Sequence, residues 1–177
     1  MTPQNHCSLW LMPDQASVKK LNASIISAAT KLGTPVFNPH LTVLGDLPHN
    51  SDDVTKRCSE FMFPTLDATV TQVSTSPQFF MALFLELDVS DQWRTLQTAL
   101  GKSLSEKAAP FRPHISIAYG RNLSVEHIYE EQEKLKADFI GKEISFESLA
   151  VVASSHQLPI DQWQLLQTFK LHLSDVR

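Results

Sequence analysis

FNPHLTVLG at residues 37–45 and FRPHISIAYG at residues 111–120 are one short phrase written twice: Phe, any residue, Pro, His, aliphatic, hydroxyl, aliphatic. Residues two apart project from the same face of an extended chain, so His40 lies beside Thr42 and His114 beside Ser116. Leu41, Val43, Ile115 and Ile117 then face the other way and can bury the backs of both strands against helices. If the halves of the chain are related by a pseudo-twofold axis, the two imidazole–hydroxyl pairs meet across one cleft.

The flanking sequence supports two matching halves. CSLWLMP (7–13) is short, apolar and ended by Pro, which reads as a buried strand. Asp14 caps a helix with Val18, Leu21, Ile25, Ala28 or Ala29, and Leu32 at helical spacing, closed by Gly33 and Pro35. The first His strand runs from His40 to Leu47, and a short helix from Ser51 to Met62 opens at Ser51, Asp52 or Asp53. Strands at 66–76 and 79–90 flank a turn at Ser76-Pro77. Asp91 then caps a helix with Trp93, Leu96, Leu100 and Leu104 on one face, and the second His strand follows it as the first strand followed its own helix. Ser124 opens a last helix, with Val125, Ile128, Leu135 and Phe139 inward and Gly141 at its end. Strands at 143–155 and 162–173 are separated by Leu158-Pro159. No linker rich in Gly, Pro or Ser divides the halves, so residues 1–177 read as one bilobal α+β unit.

Composition narrows the function. At 177 residues, 42% hydrophobic and 19% charged, the chain can bury a core without staples. A net charge of -4 argues against long contacts with a nucleic-acid backbone, where Lys and Arg supply the affinity, and leaves small phosphate ligands open. Cys7 and Cys58 are too far apart in sequence for a CxxC pair; one disulfide or two free thiols both fit. No apolar run is long enough to span a membrane, and a cytoplasmic monomer is the default reading.

Two imidazoles and two hydroxyls suit phosphoester chemistry. In-line displacement puts the attacking and leaving oxygens on opposite sides of phosphorus, with charge on the oxygens between. A neutral His takes the proton of the attacking water and a protonated one serves the departing oxygen, each role worth about 10²- to 10⁴-fold. Near neutral pH an imidazole can hold either form. Hydroxyls at Thr42 and Ser116 would donate to the non-bridging oxygens. A zinc site would need three or four protein ligands in compact spacing, and none is visible, so neither metal nor cofactor is expected.

His40-Leu41-Thr42-Val43 and His114-Ile115-Ser116-Ile117 resemble the paired H-x-[ST]-x motifs of the two-histidine (2H) phosphoesterase superfamily. Phe-x-Pro-His before each motif, the opening SLWLMP strand, Tyr-Gly after the second motif and a closing strand with Trp163 are similar to the cyclic phosphodiesterases of plants and fungi. The resemblance implies two pseudo-symmetric lobes of antiparallel sheet with helices outside and a central cleft. It also implies metal-independent opening of ADP-ribose 1'',2''-cyclic phosphate to ADP-ribose 1''-phosphate and of nucleoside 2',3'-cyclic phosphates to 2'-phosphates. By analogy His114 is the base and His40 the acid. Trp10 would stack on a base or ribose, and Tyr119 would bond phosphate or water. Other superfamily members join or trim RNA ends, which is the first alternative; a catalytically silent nucleotide-phosphate-binding module is the second.

Blander readings stand beside these. A lone strand His is usually structural; the repetition reverses that preference. Trp10 and Tyr119 compete with ordinary core packing, and Trp93 and Trp163 are assigned to the core. His6 and His156 are reserved as possible cleft neighbours, whereas His49, His127 and His172 need only solvent or local bonds. Arg112 and Arg121 read as loop charges with a second phosphate as the alternative, and Glu130, Glu131, Glu133, Lys134 and Lys136 as a solvated helix face.

Overall fold

The computed structural model describes residues 6–104 and 110–172. The order is β1 (Cys7–Pro13), α1 (Gln15–Leu32), β2 (Leu41–Leu47), α2 (Ser51–Cys58), β3 (Leu66–Thr75), β4 (Leu83–Asp88), α3 (Asp91–Ser103), β5 (His114–Ala118), α4 (Val125–Phe139), β6 (Glu143–Ala153) and β7 (Gln164–Lys170). Single 3₁₀ turns at Phe79–Met81 and Ile160–Gln162 interrupt the two loops that border the site.

All strand pairings are antiparallel, in the order β1-β2-β5-β4-β3-β6-β7, and β1 also pairs with β6, so six of the strands close into a ring. β6 makes the closure possible by its length of 11 residues. One edge runs along β1 from Phe146 to Val152, while the other serves β3 at Glu143–Phe146 and then β7 at Ser148–Ala153. The α+β class and antiparallel sheets follow the sequence reading. The repeat of helix then His strand is also present, as α1–β2 and α3–β5. What the repeat does not reveal is an exchange of backing: α1 packs on β5 and α3 on β2, so each His strand rests on the helix of the other half.

The apolar residues between the motif positions do what alternation requires. Leu41, Ile115 and Ile117 are 0% exposed and Val43 is 3% exposed in the main core; each such burial contributes about 1.5–3 kcal/mol. α1 starts where Asp14 accepts a hydrogen bond from the Ser17 amide at 2.8 Å and stops where Gly33 turns left-handed at φ 69°.

Some local expectations are corrected. α2 is capped by Asn50 and ends at Cys58; α3 has Ser90, not Asp91, at its N-cap position. Val125 is 83% exposed because it occupies the first position of α4, before the inward stripe begins. Glu131 is not part of a solvated face: it is buried and accepts a hydrogen bond from Ser27 of α1, while neighbouring Glu130 pairs with Lys31. Both cysteines are buried free thiols. Among the described residues no helix is long and apolar enough to cross a membrane.

Candidate active site

Proline sets each motif imidazole. The residue before a proline is held extended, and here its carbonyl, two residues before the His, receives the ring. His40 Nδ1 lies 2.7 Å from the Asn38 carbonyl and His114 Nδ1 lies 2.7 Å from that of Arg112. A carbonyl only accepts, so Nδ1 carries hydrogen in both rings and Nε2 is the nitrogen left for chemistry. Leu41 of β2 pairs with Ile115 of β5. One step either side of that pair sets His40 across from Ser116 and Thr42 across from His114, so the four polar residues form a block on the face away from the core.

The sequence-predicted residues converge. His40, Thr42, His114, Ser116, Tyr119 and Trp10 all line one cavity of about 470 Å³. Their environments differ. His40 is 7% exposed, and burial pushes its imidazole down to about 4, against the Asn38 carbonyl and with the help of the neighbouring His114. His114 is more open; burial also lowers it, the Arg112 carbonyl opposes, and the Arg112 charge lowers it while Glu86 raises it. Glu86 sits directly across β4–β5 from His114 and holds Arg112 at 3.0 Å.

The aromatic residues make one wall. Trp10 lies flat on His40, with ring centroids 3.5 Å apart and planes 6° apart, so that face of its indole is occupied by the imidazole. Tyr119 is 3% exposed and stacks on Phe37, the Phe of the first motif, at 3.7 Å. Burial raises its phenol above the usual range, and the Ser116 hydroxyl beside it pulls the other way. Ser116 Oγ donates to the Phe80 carbonyl at 2.7 Å, whereas among the described residues the Thr42 hydroxyl has no partner. Trp163, expected in the core, lines the cavity and sits edge-on to Trp10 at 5.5 Å. Phe80 completes this wall, 5.9 Å from Trp163.

The remaining wall is polar, and sequence reading missed most of it. The β1–β2 register slips twice, between Cys7 and Leu9 and between Leu9 and Trp10. Such slips re-aim side chains. Asp46 emerges there with φ 49°, its amide donating to Ser8 Oγ at 3.2 Å. Its carboxylate accepts from the His156 amide at 3.1 Å and pairs with the His156 ring. His156 therefore does reach the cleft, as does Arg121, while Arg112 is committed to Glu86 and lies over the Phe84 ring. The usable signal was period two: Ser8 shares the face of Trp10, and Ser154 continues the face of Ala150 and Val152. Among the described residues no group of three or more His, Cys, Asp or Glu is placed to hold a metal ion.

Comparison with known proteins agrees with this geometry. A model of the 2'-5' RNA ligase superfamily matches residues 35–157, which include both motifs. A cyclic phosphodiesterase of Arabidopsis thaliana is 26% identical over 130 residues, covering 72% of this chain and 71% of that protein. In fold, the chain is similar to E. coli LigT in complex with 3'-AMP, with a TM-score of 0.62 at 14% identity over 94% of this chain and 97% of the other. It is also similar to a protein of Thermus thermophilus, with a TM-score of 0.57 at 16% identity, covering 96% and 99%.

Proposed function

The chain belongs to the 2'-5' RNA ligase superfamily, the two-histidine phosphoesterases, and on that premise we propose that it hydrolyses small nucleotide-type cyclic phosphates without a metal. One observation carries the reading: two imidazoles, each locked through Nδ1 to its own chain, share one cavity with two hydroxyls. The substrates are nucleoside 2',3'-cyclic phosphates, opened to 2'-phosphates, and ADP-ribose 1'',2''-cyclic phosphate. The Arabidopsis relative's name and the net charge of -4 support small substrates over RNA ends.

In this mechanism the phosphorus lies between the two Nε2 atoms. Water attacks as one imidazole takes its proton, the P–O bond on the far side breaks, and the second imidazole gives a proton to the departing ribose oxygen. The environments favour His40 as the base, buried and neutral, and His114 as the acid, since a carboxylate stands across from it. This reverses the order carried by analogy. Thr42 donates to a non-bridging oxygen from a hydroxyl with no competing acceptor among the described residues, and Ser116 does so by releasing the Phe80 carbonyl.

The test is purified protein with ADP-ribose 1'',2''-cyclic phosphate and the four nucleoside 2',3'-cyclic phosphates, with and without EDTA, and with products read by phosphorus NMR. Turnover to a single regioisomer, indifferent to EDTA, is expected. Loss in EDTA with rescue by zinc would overturn the mechanism. Activity confined to oligonucleotides and falling steeply with salt would favour RNA-end processing. Binding without turnover would favour a silent module.

A further inference from the structure

One end of the cavity is built from hydroxyls that, among the described residues, have nothing to donate to. Ser8, Ser154 and Ser155 are 5%, 3% and 7% exposed, and all three line the cavity. Ser8 Oγ accepts from the Asp46 amide at 3.2 Å and Ser155 Oγ from the Gln157 amide at 3.0 Å, so the proton of each is unspent. Ser154 has no side-chain hydrogen bond among the described residues. Each therefore keeps a donor to offer to a ligand in the cavity.

Strand register places the group. Ser8 of β1 pairs with Val152 of β6, so Ser154, two residues on and on the same face, is its diagonal neighbour. Ser8 is also two residues from Trp10, whose ring covers His40. The hydroxyls thus begin one side chain beyond the reacting centre. Asp46, in a left-handed conformation that costs a non-glycine residue about 1 kcal/mol, is tied to both Ser8 and His156 and fixes this corner.

We propose that Ser8, Ser154 and Ser155, edged by Asp46, form a specificity subsite for the sugar that carries the reacting phosphate. The inference rests on the reading above in placing that phosphate between His40 and His114. Hydroxyls both donate and accept, which matches a ribose. The Asp46 carboxylate at the edge has oxygens that accept from sugar hydroxyls, which suits a polyol as the occupant.

The test is calorimetric binding of 2'-AMP, 2'-UMP and inorganic phosphate to the full chain and to Ser8→Ala, Ser154→Ala, Ser155→Ala and Ser154→Val. Each alanine variant should weaken both nucleotides by about two- to tenfold, the worth of one hydrogen bond, and leave phosphate unchanged. Ser154→Val, which adds bulk, should weaken the nucleotides more than Ser154→Ala. Equal weakening of inorganic phosphate would overturn the proposal in favour of an anion site. A loss confined to one base would overturn it in favour of base recognition, and unchanged nucleotide binding in all four variants would refute it outright. Should Ser154→Val not fold, the alanine variants still decide. Because the readout is binding, absence of turnover in the wild type would sink the function and leave the subsite judged on its own.

Discussion

The two histidine strands are alike in backbone and unlike in surroundings. In both, Pro precedes His and Nδ1 meets the carbonyl two residues back at 2.7 Å. Around His40 stand three aromatic rings, Trp10 flat against it and Trp163 and Phe37 edge-on, each at 6.5 Å. Around His114 stand a carboxylate and a guanidinium, Glu86 and Arg112, with the Phe84 edge at 5.5 Å. A repeated motif thus fixes tautomer and position, and the neighbours on other strands decide which ring gives a proton and which takes one. Two copies of one device become an acid and a base because they are buried differently.

The harshest way to break the comparison is to delete each ring. His40→Ala and His114→Ala should each lower kcat by about 10²- to 10⁴-fold with the fold retained, as circular dichroism would check. Comparable losses support two chemical roles; a full rate in either variant would leave a single-His mechanism. The hydroxyls provide the next contrast. Thr42→Ala should cost about 10²-fold or more in kcat, as for a lost oxyanion donor, and Ser116→Ala less than about tenfold, because the serine proton is already held by the Phe80 carbonyl. A larger loss at Ser116 than at Thr42 would mean that the serine exchanges partners fully when substrate arrives.

Stability separates the same two rings. His40 is held at about 4 in the folded protein against an ordinary value near 6.5. The unfolded chain therefore binds this proton more readily, and the stability at stake is intact above the unfolded value. It is lost as pH falls from about 6.5 towards 4, by about 3 kcal/mol in all. Urea unfolding followed between pH 7 and pH 4 should show that slope, and His40→Gln should flatten it. His114→Gln should flatten it less. The same slope in both variants would erase the distinction.

How much of this was written in the chain can be judged at particular residues. The paired motifs, the caps at Asp14 and Ser124, and the alternation of Leu41, Val43, Ile115 and Ile117 are local patterns of period two or 3.6, and they placed the elements and the four central residues. Asp46 and His156 were not legible as a pair, because they lie 110 residues apart and meet only through two slips in the β1–β2 register. Trp163 read as core because a large aromatic residue in a strand is usually buried, and a cavity wall made of aromatics has the same signature. The exchange of α1 and α3 between the two His strands is equally invisible, since it depends on ring closure through β6.

The gentlest probe leaves both rings in place and changes only what faces His114. From β4, Glu86 lies across the ladder from it, its own carboxyl held below the usual range by Ser74 and by Arg112. From its own loop, Arg112 works against it, and from the residue just before β2 the other imidazole, His40, is nearby. Glu86→Gln removes an influence that raises His114, so the limb of the pH–rate profile that needs His114 protonated should move to lower pH. Arg112→Gln removes one that lowers it, so that limb should move to higher pH. Both rate changes should be small, about two- to fivefold at neutral pH, because the pair is partly solvated. The opposite signs carry the information. The limb belonging to His40, which neither side chain neighbours, should stay in place in both variants. If the two substitutions shift the other limb instead, the acid is His40 and the order carried by analogy is restored.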